Sequence, residues 1–189
     1  MKKIYLLLFC LAYGVGAVKA QAPGGTITSI TVKYMNGGSW IKGSITEPGR
    51  VGLIQVLSFN MDESRAVDPK GRPAGEVKTS WATFTKPVDM ASPLLKQALH
   101  TSPVRVGNDK VEVAFWGKKN NNSTTESILY TVTLSGVTCT SVNDVVVPAS
   151  NNNPMECYQQ VSFFFREAQW TWTDGNITFK KEYPMPGPY

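Results

Sequence analysis

Histidine occurs once in the 189 residues, at His100, and no serine or cysteine motif frames it. A histidine-based relay or a multi-histidine metal centre has little to be built from. The sequence has no GxSxG, no HExxH, no P-loop and no dinucleotide fingerprint, which removes the common hydrolase, zinc-protease and nucleotide-binding classes. Cysteine is scarce as well. Cys10 falls within the first twenty residues, and Cys139 and Cys157 stand 18 positions apart rather than as a CxxC pair, so neither a redox centre nor a zinc site is indicated. No Lys/Arg stripe runs along any segment, and with it goes a nucleic-acid footprint. These absences describe a protein that is not an enzyme and holds no cofactor or metal.

The start of the chain reads as a secretory leader. Lys2 and Lys3 form a basic opening, Ile4 to Val18 is an almost unbroken apolar run, and Val18-Lys19-Ala20 offers small residues before Gln21. The run is short for a membrane span, so residues 1–20 are expected to be a cleaved signal peptide, with no span in the mature form. The mature product is then periplasmic or secreted. Three of the 19 basic side chains and none of the 14 acidic ones lie in this leader, so the remainder is nearly balanced in charge. Residues 21–189 are long enough for a single domain with its own core. Two cysteines bound for an oxidising compartment also predict a Cys139–Cys157 disulfide, which would stabilise by about 3 kcal/mol on the chain-entropy model. The alternative is two free thiols on neighbouring strands.

Only one segment after the leader favours a helix. Ser92 is a good N-cap, Pro93 suits the first helical position, and Leu94, Leu95, Ala98 and Leu99 share a face with Lys96 and Gln97 turned away. So short a helix must dock on something apolar. The rest reads as strand. Ile30, Val32 and Tyr34 alternate with polar residues, as do Val111, Val113 and Phe115, and Ile128, Tyr130, Val132 and Leu134. Gly52 to Phe59 is mostly apolar and is expected to be covered on both faces. After Gly136 the apolar parity flips to Val137 and Cys139, the mark of a β-bulge. A second irregularity is expected near Arg166-Glu167-Ala168. Asp174-Gly175 reads as a hairpin turn that sets Trp172 against Ile177 and Trp170 against Phe179. The fold class is mainly β, with one short helix and strands bent as in a small barrel.

Two long polar stretches interrupt this pattern. Asn143 to Pro154 reads as a loop rich in asparagine. Asn60 to Lys78 carries Asp62, Glu63, Arg65, Asp68, Lys70 and Arg72 with several Pro and Gly and no periodicity. Acids alternate there with bases and no metal-ligand spacing recurs, so an interaction arm is the better reading. The five tryptophans could form a sugar-stacking platform, although in such folds aromatics more often fill a core or an interface.

Four runs in the same order resemble the haemolysin-coregulated protein (Hcp) family, the tail-tube subunits of type VI secretion systems. They are Ile41 to Phe59 (IKGSITEPGRVGLIQVLSF), Phe84 to Leu99 (FTKPVDMASPLLKQAL), Ile128 to Val142 (ILYTVTLSGVTCTSV) and Val161 to Asn176 (VSFFFREAQWTWTDGN). The resemblance implies a small tail-tube-like β-barrel with a helix on its side. It also implies homohexameric rings that stack into a tube, a lumen able to carry protein cargo, and an arm over residues 60–78 reaching a neighbouring subunit or ring. The leader departs from the family's pattern. An exported monomeric binding module, or a secreted effector on the same fold, is the alternative.

Overall fold

The computed structural model describes residues 25–79, 81–101, 109–120, 123–147 and 155–183. The leader, the start of the lead-in at 21–24 and the tail at 185–188 lie outside them, so the signal-peptide expectation is not addressed by the fold. In chain order the elements are β1 (Thr26–Asn36), β2 (Ser39–Ile41), β3 (Ile54–Val56), β4 (Ser58–Asn60), β5 (Glu63–Val67), β6 (Pro73–Thr79) and β7 (Ala82–Pro87). After helix α1 (Ser92–Thr101) come β8 (Lys110–Lys118), β9 (Ser127–Ser135), β10 (Thr138–Val147), β11 (Glu156–Phe164), β12 (Glu167–Trp172) and β13 (Ile177–Glu182).

The strands divide between two sheets and a ribbon. Among the described residues one sheet runs β13-β12-β9-β8-β1-β2 with β3 also paired to β1, the other runs β10-β11-β7-β4, and β5 pairs only with β6. Three direct corners carry the chain from one sheet to the other, between β3 and β4, between β9 and β10, and between β11 and β12, and a fourth passage runs from β7 by way of α1 to β8. Among the described residues the ladders form these separate sheets joined at corners, not one hydrogen-bonded ring. Inward-facing Val32, Tyr34, Phe84, Val111, Leu134, Val161, Phe163 and Phe165 are fully buried in a common core, the alternation that a half-covered strand requires. The phenol ring of Tyr34 meets Phe163 edge-on at 5.0 Å, while its buried hydroxyl has no hydrogen-bond partner among the described residues.

Several sequence expectations change in physical detail. The parity flip at Gly136 is a corner and not a bulge within one strand: β9 ends at Ser135, Gly136 adopts φ 62°, and β10 starts in the other sheet. A Cβ there would lie 2.9 Å from Cδ of Arg166, so the corner needs glycine for both conformation and space. The second irregularity falls between β11 and β12 and is likewise a change of sheet. Gly52 to Phe59 is not covered on both faces, because Gln55 and Leu57 face solvent and the run breaks at Leu57 between the two sheets. Residues 143–147 belong to β10 and pair with β11; 148–154 lie outside the described residues. The Asp174-Gly175 hairpin has the anticipated pairing, Trp172 opposite Ile177 and Trp170 opposite Phe179, with rings stacked at 5.4 Å. Its left-handed residues are Gly175 and Asn176.

The expected Cys139–Cys157 disulfide is not formed. Both thiols are free, and the register shows why: Cys139 pairs with Phe163 while Cys157 pairs with Val146. The two cysteines sit at opposite ends of the β10–β11 ladder, about 23 Å apart along the strands, where a disulfide needs Cα atoms within about 7 Å.

Candidate interaction site

The stretch read as an aperiodic loop is a β-hairpin. Glu63 pairs with Thr79, Ser64 with Lys78 and Arg65 with Val77; after an irregularity Ala66 pairs with Ala74 and Val67 with Pro73. It has no apolar alternation because both faces of β5 lie in solvent, so burial imposes no period. At the base, the Tyr183 hydroxyl donates to the Glu63 carboxylate. The Tyr183 ring packs edge-on against Phe165 at 5.4 Å. Burial first, and the Glu63 carboxylate second, push the phenol's pKa well above its ordinary value.

The six named arm residues divide by position. Asp62 and Glu63 lie at the base, Arg65 lies in the shaft with Nε donating to the Gly75 carbonyl at 3.0 Å, and Asp68, Lys70 and Arg72 form the tip. There the Asp68 carboxylate accepts from the backbone N–H groups of Lys70 and Arg72, each at 2.9 Å, and from Arg72 Nε at 2.8 Å. These bonds, the Arg72 backbone N–H foremost, hold the Asp68 carboxyl below the usual carboxylate range. Asp68 thus ties the two sides of the turn together and pairs with the exposed Arg72 guanidinium. The Lys70 ammonium has no carboxylate partner among the described residues.

A second polar cluster, not read from the sequence, lies where α1 begins. Asp89, rather than Ser92, caps the helix: its Oδ1 accepts from Ala91 N at 3.0 Å, and Ser92 Oγ accepts from Asp89 N at 3.1 Å. This is a reciprocal capping box with Asp89 in the cap position. Leu95 and Ala98 are buried and Leu99 packs against the core, but Leu94 is exposed. Lys86, wholly buried on β7, lies 2.6 Å from Asp89 Oδ1 and donates to Ser92 Oγ at 2.9 Å and to the Pro87 carbonyl at 2.7 Å. Lysine beside a serine hydroxyl is a nucleophile-and-base arrangement in some hydrolases. Here three acceptors engage all three ammonium protons, so Lys86 acts as a structural cation and not as a base. Next to it on β11 is Gln159, also wholly buried, whose Nε2 donates to Asp144 Oδ1 at 2.8 Å. Lys96 on α1 pairs with Asp144, and these two bonds hold the Asp144 carboxyl below its usual range. Asp144, Gln159 and Lys86 are neighbours in register across three strands, forming a polar end to the inner sheet face. Only the buried lysine two residues after Phe84, on the same parity, offered a signal for this cluster.

The tryptophans do not gather into one platform. Trp81 meets Phe164 edge-on, Trp170 stacks on Phe179, Trp40 lies under Lys33, and Trp116 lies under Arg50, each cation 4.2 Å from the ring centre. His100 is exposed at the end of α1. Among the described residues no three His, Cys, Asp or Glu side chains converge as a metal site.

A family model described as "Type VI secretion system effector, Hcp" matches residues 31–172. Solved structures share the fold. The Hcp1 protein of E. coli EAEC 042 aligns with a TM-score of 0.67 at 24% identity, covering 82% of this chain and 99% of that one. A crystal structure titled Hcp protein aligns at 0.71 and 19% identity, covering 82% and 100%. Secreted protein Hcp3 from Pseudomonas aeruginosa aligns at 0.61 and 18% identity, covering 84% and 99%. Comparison with curated proteins gives no match.

Proposed function

The chain belongs to the Hcp family of type VI secretion system proteins, and from that premise we propose that it is a structural subunit closing with copies of itself into six-membered rings able to stack as a tube. The observation that carries this reading is the hairpin of β5 and β6. Among the described residues it pairs with no other strand, β5 is exposed along its length, and it is pinned at the base by Tyr183. A strand pair so placed is an arm whose partner lies outside the chain. Two sheet edges supply further surface. Edge strand β13 exposes Ile177 and Phe179, and edge strand β10 exposes Val145 and Val146. Different patches meeting head to tail generate a closed ring when the rotation closes, and unpaired edges are suited to such contact. The role needs no reaction, and a ring lumen would hold protein cargo by surface contact. The leader would deliver the mature chain to the periplasm or beyond, and no helix of the described residues is long and apolar enough to cross a membrane.

A second reading, an exported monomeric binding module or secreted effector, is favoured by Trp81, which is 53% exposed. Hydrogen exchange separates the two. In the assembled protein the backbone amides of residues 63–79 exchange more slowly than in diluted monomer. Equal exchange in both states would remove the arm from the interface.

A further inference from the structure

The hairpin stands on a narrow footing. Between β4 and β5 lie only Met61 and Asp62, and between β6 and β7 only residues 80 and 81. Among the described residues neither β5 nor β6 pairs with a strand of the body, and an isolated two-stranded ribbon is marginal in water. From Glu63 to the Asp68 turn the shaft runs about 17 Å at the usual rise per residue, so a swing of about 20° at the base would carry the tip about 6 Å.

One side chain closes that footing on both strands. Glu63 and Thr79 face each other as the first rung of the hairpin. The Tyr183 hydroxyl donates to the Glu63 carboxylate and takes a hydrogen bond from the Thr79 hydroxyl. A single phenol oxygen thus holds β5 and β6 where they leave the body, and its bond to the carboxylate is charge-assisted. Tyr183 is itself fixed by the body. It is 7% exposed, its ring lies edge-on to the fully buried Phe165, and its backbone N–H donates to the Arg166 carbonyl at 2.7 Å. Phe165 and Arg166 form the corner between β11 and β12, where the chain passes from one sheet to the other.

We infer that Tyr183 is the positioning residue of the arm: it sets the direction of the hairpin in the single chain, before any partner arrives. The inference rests on the reading of the hairpin as an arm between subunits, and adds that the arm is aimed in advance. An arm so held gives up little freedom on docking, which lowers the cost of association.

The test uses the full chain with nitroxide labels at Lys70→Cys in the tip and at the native Cys157, which is exposed while Cys139 is buried. Labelled chain is mixed into an excess of unlabelled chain, so that pulsed electron resonance reads distances within one chain. With Tyr183 in place the distance distribution is expected to be narrow. Tyr183→Phe keeps the ring on Phe165 and removes the hydroxyl, and Glu63→Ala removes the acceptor. Each is expected to broaden the distribution by about 6 Å, the reach of that swing. Glu63→Gln keeps an oxygen that accepts from the phenol and should stay narrow. In unlabelled protein Tyr183→Phe is expected to raise the concentration at which rings dissociate by about 10-fold. Amide exchange in β8 and β9 should not change, which separates a loosened arm from a loosened fold. A distribution already broad with Tyr183 in place, or one still narrow in Tyr183→Phe, would overturn the positioning role and leave the arm reading intact. A broadened arm in rings of unchanged stability would overturn the claim that its direction serves assembly. Unaltered protein that stays monomeric would overturn the arm reading, while the distances within one chain still decide whether Tyr183 aims the hairpin.

Discussion

Lys86 gives the sharpest check on how the helix is held to the sheet. Replacing it with methionine keeps the apolar stem and removes the ammonium, which leaves Asp89 facing a wholly buried position without its cation. Breaking a buried pair by removing one partner costs about 3–5 kcal/mol. Asp89 retains two backbone donors, Ala91 N at 3.0 Å and Ser44 N at 3.3 Å, which places Lys86→Met near the lower end, at about 3 kcal/mol. Against a typical domain stability of about 5–15 kcal/mol, that is a large fraction. Asp89→Asn keeps a capping side chain but removes the negative charge, and it should cost about 2 kcal/mol because Lys86 is then the unpaired ion. The double variant holds neither charge, so its cost should fall below the sum of the two by about 2 kcal/mol. Urea titration followed by tryptophan fluorescence, at one fixed protein concentration, measures all three. A loss below about 1 kcal/mol for Lys86→Met, or strictly additive losses in the double variant, would refute the account of Lys86 as the cation that ties cap to strand.

Two further outcomes follow from the corners and the thiols. Gly136→Ala combines a left-handed φ with contact against the Arg166 stem and should cost about 2–4 kcal/mol. Gly71→Ala, at φ 75° with nothing within 4 Å, should cost about 1 kcal/mol, so equal losses in denaturant titration would show that Arg166 does not constrain the corner. In unreduced native protein Cys157 should react promptly with a thiol reagent. Cys139, buried and with burial pushing its thiol up to about 11, should react only after denaturation; no titratable thiol in denaturant would contradict the separation of the two cysteines.

How much was legible in the sequence depended on how local the determining physics was. The Asp174-Gly175 turn sets its own register, so the Trp172–Ile177 and Trp170–Phe179 pairs could be counted outward from it. The helix was visible from Leu95, Ala98 and Leu99. Its cap was not, because Ser92 takes the third position of a capping box begun by Asp89. Parity changes at Gly136 and Arg166 marked true irregularities, but parity alone cannot distinguish a bulge within one sheet from a passage to another. The hairpin over 63–79 escaped the strand pattern because neither face is buried. The segment 143–147 escaped it because Asn143 and Asp144 face Gln160 and Gln159 across a polar end of the sheet. Gln159 and Lys86 had the parity of core residues and the chemistry of surface ones. Only their partners on α1 and β10 explain their burial.

The most direct measurement of the central claim is the solution mass of the purified protein by light scattering, with negative-stain images of the same peak. The proposed assembly through the hairpin arm predicts a species of about six chains, seen end-on as rings. A single-chain mass across the accessible concentration range would contradict it.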